Sequence, residues 1–174
     1  RQVVRLTGML NELLEFSRSD GQQPLLSRQN YPQYVRELLL DIQPDLLEKN
    51  IDVVFDCRPP NIPVRIDPQR ITHLFVNLID NAADELRRGG TIAITITTGN
   101  EVVTTQIEDN GPGIAPEIAA KLFQPFATHG KAHGTGLGLS ICEKIVHDHG
   151  GRIWVDPAAP KGARFLFTLP DAKA

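Results

Sequence analysis

Apolar residues change their spacing from one stretch of this chain to the next, and the changes mark its elements. Leu6, Met9, Leu10, Leu13 and Phe16 recur near a 3.5-residue repeat over residues 3–18. That is the stripe of an amphipathic helix, and such a seam wants a partner surface. A helix folded onto its own domain would carry the same short stripe, so the pattern alone leaves both arrangements open. Ser19-Asp20-Gly21 breaks the pattern, and a globular part begins at Gln22. Residues 25–29 read as a strand. Tyr31 then opens a helix with Pro32 in its first turn, where a missing N–H costs nothing, and Pro44 inside the same pattern predicts a kink or a break.

Residues 51–57 alternate as a strand, and Pro59-Pro60 ends it. Asp67-Pro68 has the capping chemistry of a helix start; Leu74, Leu78 and Ile79 give that helix its inward face, Asn77 and Asn81 lie on an adjoining face, and Gly89-Gly90 stops it. Two β-rich runs follow, residues 91–98 and 102–108, with Gly99-Asn100 as the tight turn between them. Residues 137–149 read as a helix closed by Gly150-Gly151, and residues 153–155 and 164–169 as the last strands. Periodicity therefore gives an α/β domain with no internal repeat.

The 174 residues are the usual size for one domain and can bury a real core. A formal charge of −3 offers no basic stripe, which argues against a nucleic-acid partner. Cys57 and Cys142 lie far apart and match no zinc spacing; Cys142 falls on the apolar side of its helix, as a buried free thiol in a reducing compartment would. No apolar run has membrane-spanning length, so no membrane contact is expected of these residues. The chain begins at Arg1 and reads as an excised piece of a longer protein.

Three motifs carry the chemistry, and their order matters more than any one of them. Asn77-x-x-x-Asn81 places two amide oxygens one helical turn apart, and Mg²⁺ typically takes only one or two protein ligands beside phosphates and water. Asp109-x-Gly111-x-Gly113 sets an acid at a strand end before glycines that let backbone approach a purine closely. Gly134-Thr135-Gly136-Leu137-Gly138-Leu139 opens a helix, whose free N–H groups and positive dipole end suit phosphates. Rival motifs fail on context. The glycine run has no clear strand before it for a dinucleotide fingerprint, and Gly130-Lys131-Ala132 lacks the hydroxyl residue of a P-loop. His147-x-His149 invites a metal, but positive charge at a helix C-terminus is the commoner explanation.

The stretches NLIDNAADEL (residues 77–86), DNGPGI (109–114), LFQPFATHGK (122–131) and GTGLGLSICEKIVHDHGG (134–151) resemble, in this order, the catalytic domain of bacterial sensor histidine kinases. The likeness runs over residues 23–170. It implies the Bergerat ATP-binding fold shared with gyrase and Hsp90, an α+β two-layer sandwich in which a mixed sheet carries helices on one face. Residues 22–174 would be the ATP-binding catalytic domain. The wording LLEFSR makes residues 1–20 resemble the second helix of the dimerisation and phosphoacceptor hairpin.

The resemblance also implies roles. Asp109 accepts from the adenine amino group, with Gly111, Gly113 and Ile114 beside the base. Asn81 ligates Mg²⁺. Asn77 stands where related hydrolases carry a glutamate that activates water, and an amide cannot act as a general base, which argues for phosphoryl transfer over hydrolysis. Many relatives place a basic and an aromatic residue after the metal ligand; Asp84 and Glu85 stand here instead, so Lys131 is the candidate for neutralising phosphate. Residues 115–133 contain the nucleotide lid, with Phe123 and Phe126 as its phenylalanines, and the run from Gly134 to Leu139 holds phosphates. Apart from the resemblance, Thr168 on the last strand offers a hydroxyl toward the adenine side, but Thr is a routine strand former and that plain role is favoured there. None of His73, His129, His133, His147 or His149 has the context of a phosphoacceptor, so autophosphorylation is not expected of these residues alone.

In the intact protein the family pattern implies ATP and Mg²⁺ as cofactors, homodimerisation through the hairpin, a response-regulator receiver domain as partner, and a cytoplasmic catalytic domain. Two alternatives share the fold. An anti-sigma-type serine kinase is disfavoured by LLEFSR, whereas a catalytically silent nucleotide-binding scaffold is kept open by Asp84 and Glu85.

Overall fold

The computed structural model describes residues 23–87, 89–126, 136–156 and 161–171. The helix expected over residues 3–18 lies outside them. Strict alternation builds the main sheet. Ile92, Ile94 and Ile96 of β4 (Gly90–Gly99), Val103 and Ile107 of β5 (Val102–Asp109), and Phe165, Phe167 and Leu169 of β7 (Arg164–Pro170) are all buried on one face. With β2 (Ile51–Arg58) and β6 (Ile153–Val155) the order is β2-β4-β5-β7-β6. Among these five strands only β2 and β4 pair in parallel, and a parallel pair needs a long crossover. Here the crossover holds β3 (Pro63–Ile66) and α2 (Pro68–Glu85).

Helices cover the apolar face. α1 (Tyr31–Glu48) enters with a fully buried Tyr31 whose hydroxyl lies 2.8 Å from Thr105 Oγ1 on β5. Phe75 of α2 sits between Tyr31 and Phe167, meeting the latter edge to face at 5.7 Å. The opposite face is polar: Arg164 pairs with Glu108 and Asp156, and Arg152 lies 4.8 Å over the Trp154 ring. The two-layer α+β sandwich is thus present among the described residues.

Three local expectations need correction. Of the kink or break expected at Pro44, the break does not occur, since α1 continues to Glu48. Pro44 and Leu40 are both exposed, so water can take the carbonyl that loses its partner. The β4–β5 turn is Asn100-Glu101, both at positive φ (53° and 63°), with Gly99 still paired to Val102. Two consecutive left-handed residues match the type I′ hairpin, a job that Asn can do and Gly99 is not needed for. The first strand, β1 (Ser27–Asn30), starts two residues later than expected and pairs antiparallel with β3 in a separate small sheet. That pairing was not legible, because Pro63-Val64-Arg65-Ile66 is too short to show a period.

Candidate nucleotide site

Asp109 ends β5 as the pattern required, and it is 4% exposed. Its backbone N–H donates to the Ala163 carbonyl at 3.0 Å. Its Oδ1 accepts from the Gly111 N–H at 2.9 Å and from the Ala163 N–H at 3.2 Å. Both bonds fall on one oxygen, so the carboxylate plane is fixed and Oδ2 remains for another donor. The backbones behind it are in close contact. Gly162, at φ +73°, has no room for a Cβ against the Asp109 carbonyl oxygen, and a Cβ on Gly113, at φ +84°, would stand 2.9 Å from the Gly162 carbonyl oxygen. Gly113 is therefore required by a protein neighbour, in addition to any base it meets. Gly162 and Ala163 went unnoticed in the sequence, where Gly-Ala before a strand reads as ordinary loop.

Asn77 and Asn81 lie on α2, both half-buried. Asn77 turns toward the helix α4 (Gly138–Asp148): its Oδ1 is 3.8 Å from where a Cβ on Gly138 would be, and its amide lies by Cys142. Its Nδ2 is buried with no hydrogen-bond partner of ordinary geometry among the described residues. Cys142 is fully buried, and burial pushes its thiol up to about 12 against the opposing effect of the Asn77 amide. The expected free, buried thiol is thus present.

α4 begins at Gly138, after Gly136 (φ +71°) and a buried Leu137, with no side chain capping it among the described residues. Leu139 is partly buried against the core. Gly134, Thr135 and Lys131 lie outside the described residues. Of the expected lid, residues up to Phe126 are described, including a one-turn helix α3 (Pro116–Ala119). Ile114 and Phe123 pack on the core, Phe123 edge to face with Phe165 at 6.5 Å. Phe126 is 68% exposed, at φ +65°, and its N–H donates to the Gly136 carbonyl at 2.9 Å, joining the two ends of the intervening segment.

Thr168 is not brought to this site. It lies about 16 Å along β7 from Ala163, on the face opposite Phe167 and Leu169, and its Oγ1 accepts from the Arg152 N–H at 3.2 Å. His149 is also different from expectation. It is buried, its Nε2 accepts the Asp67 N–H at 3.0 Å, and its Nδ1 is 2.7 Å from the Ile145 carbonyl. An acceptor Nε2 requires the neutral Nδ1–H form, so His149 puts no positive charge on the end of α4.

The donor set fits a nucleotide and its metal. A buried carboxylate is held with one oxygen available, and, among the described residues, a helix start with no side-chain cap lies beside a buried amide nitrogen that has no hydrogen-bond partner of ordinary geometry. Among the described residues no group of three or more His, Cys, Asp or Glu could hold a metal ion. A cation here would depend on an asparagine oxygen and on phosphate oxygens, which is Mg²⁺ chemistry.

Comparison with known proteins gives the class. Residues 66–173 match the family described as histidine kinase-, DNA gyrase B- and HSP90-like ATPases, and the chain belongs to that family. Among individual relatives it is 32% identical over 178 residues to the sensor histidine kinase WalK of Bacillus subtilis, covering 97% of this chain and 29% of WalK. Full-length ShkA, solved in complex with AMPPNP, superposes with a TM-score of 0.85 at 26% identity, over 97% of this chain and 36% of that one. Histidine kinase ThkA, solved in complex with response regulator protein TrrA, gives 0.80 at 29% identity, over 98% and 48%. The chain thus spans less than half of each.

Proposed function

We propose that this chain is the ATP-binding catalytic part of a sensor histidine kinase, which moves the γ-phosphoryl group of ATP to a histidine on a dimerisation hairpin for relay to a response-regulator aspartate. The observation that carries this reading is Asp109, buried and oriented by two backbone amides on one oxygen. Its remaining oxygen is placed to accept the adenine amino group, a charge-assisted bond worth about 1.5–3 kcal/mol. Gly113 and Ile114 flank the base, and Phe123 anchors the near end of the lid on the sheet. The start of α4 receives phosphates, with Gly134, Thr135 and Lys131 completing that side. Asn81 holds Mg²⁺, and Asn77 orients the α4 start. When bound, the metal neutralises phosphate charge during transfer. Asn77 offers no general base for water, so transfer is favoured over hydrolysis.

Residues 1–20 then form the second hairpin helix, and residues 22–174 the catalytic domain. The hairpin makes the intact protein a homodimer, and its partner is a receiver domain; the ThkA complex with TrrA supports that partner class. The catalytic domain works in the cytoplasm. Supplying the complete hairpin of a relative in trans, with Mg-ATP, should give an acid-labile phosphohistidine on the hairpin. ADP binding without any transfer to a competent hairpin would leave the silent scaffold instead.

A further inference from the structure

At the end of the α2–α4 pair away from Asn77, three parts of the chain meet at Asp67. The Asp67 N–H donates to His149 Nε2, Oδ1 accepts from the Arg70 N–H at 3.3 Å, and Oδ2 accepts from the Leu25 N–H at 2.9 Å. His149, the residue after α4, returns its Nδ1–H to the Ile145 carbonyl inside α4. Around it Arg70 Nη1 pairs with Asp148 Oδ2 at 2.9 Å, while Arg70 Nε stands 3.8 Å from Asp67 Oδ2. Lys144 adds a contact of 3.6 Å to Asp148.

The geometry points to His149 as a positioning residue: in its neutral form it pins the end of α4 to the start of α2, holding the opposite end of α4 over Asn77, and on gaining a proton it releases that hold. This rests on the nucleotide-binding reading above. α4 is a rigid rod of 11 residues, about 16 Å long, so a change of seat at its C-terminus is carried to its N-terminus. Protonation makes Nε2 a donor facing the Asp67 N–H, and two donors in a buried space cannot both be satisfied. Among the described residues the charged groups facing His149 are Asp67 and Arg70 from α2 and Asp148 from α4; the segment before β1 reaches Asp67 through the Leu25 N–H. Burial holds the imidazole below its usual value against the pull of the Ile145 bond and the two carboxylates. Release therefore belongs to the acid side of about pH 6.5.

ADP binding measured by calorimetry from about pH 7.5 to about pH 5.5 tests this in the unmodified chain and in His149→Gln, which keeps an acceptor for the Asp67 N–H and cannot be protonated. Protonation of ADP itself is common to both. We expect the unmodified chain to lose roughly fivefold more affinity than the variant over that range. Parallel profiles with normal binding at pH 7.5 would overturn the positioning role alone; absence of ADP binding at pH 7.5 in the folded, unmodified chain would overturn the nucleotide reading and this inference together. NMR titration of His149 in the unmodified chain needs no variant. Saturating ADP should lower the pH at which the ring protonates, because linkage is reciprocal, and an unchanged midpoint would overturn the proposal.

Discussion

The two ends of the α2–α4 pair are built on opposite plans. At the Asp67 end the polar groups are tied to defined partners: a cap bond, a neutral histidine bridging two helices, and an arginine between two carboxylates, all in mostly buried positions. Toward the Asn77 end the same helices present, among the described residues, a helix start with no side-chain cap, a glycine in place of a side chain, and a buried amide nitrogen with no hydrogen-bond partner of ordinary geometry. An unsatisfied buried polar group costs about 1–3 kcal/mol. A fold can carry that cost where the missing partner is a ligand and where the rest of the helix pair is firmly tied. The satisfied end makes the unsatisfied one possible, and the two should respond to different perturbations.

The sharpest contrast comes from Asp109→Asn. An amide can still accept from Gly111 and Ala163, so the melting temperature should move by less than about 4 °C, while ADP and Mg-ATP affinities both fall about 10- to 100-fold. Calorimetry and thermal melts on one sample decide it, and a large stability loss with unchanged affinity would reverse the assignment of the two regions. Arg70→Ala tests the other end. It leaves Asp67 short of a cation, and Asp148 with the longer Lys144 contact, in a mostly buried site, for a loss of about 1–3 kcal/mol seen in denaturant melts, and it should weaken ADP binding less than Asp109→Asn does.

Smaller effects refine the picture. His149 has its folded pKa below the unfolded value, so the neutral form stabilises the fold fully above about pH 6.5, and that contribution is lost as pH falls through the lower folded value. The melting temperature of the unmodified chain should therefore drop more steeply on acidification than that of His149→Gln. Asn81→Ala should weaken Mg-ATP binding about three- to tenfold more than metal-free ADP binding; equal losses would remove the metal role from Asn81. Deleting residues 1–18 should leave ADP affinity nearly unchanged in the same calorimetric assay, and an abolished signal would place that segment within the catalytic core.

Much of this was readable from residue order, and the failures share a cause. Asp67 announced a helix start by its chemistry, and its carboxylate does accept from Arg70. Asp109 was found from the two glycines after it. The histidine next to Asp67 was misjudged because a His near a helix end looks the same whether exposed and charged or buried and neutral. Only the arrival of the Asp67 N–H at Nε2, from 82 residues away, separates the two. Thr168 was misplaced for a related reason: strand alternation shows that neighbours point apart, but not which face carries the site. Gly162 and Ala163 gave no signal, since their work is done by backbone atoms against a strand 54 residues earlier.

The sequence by itself determined most of the elements, the alternation that makes one sheet face apolar, and the ordered asparagine, aspartate and glycine boxes that define a nucleotide site. These are local properties: a period of two, a cap, a turn residue, a spacing along one helix. The tertiary structure alone decided which oxygen of Asp109 is held and which is left, that Asn77 faces α4, and that His149 is a neutral tie between two helices. Each of those depends on where a distant backbone N–H or C=O falls in a buried space. In such a space a polar group must be satisfied by whatever the packing brings to it.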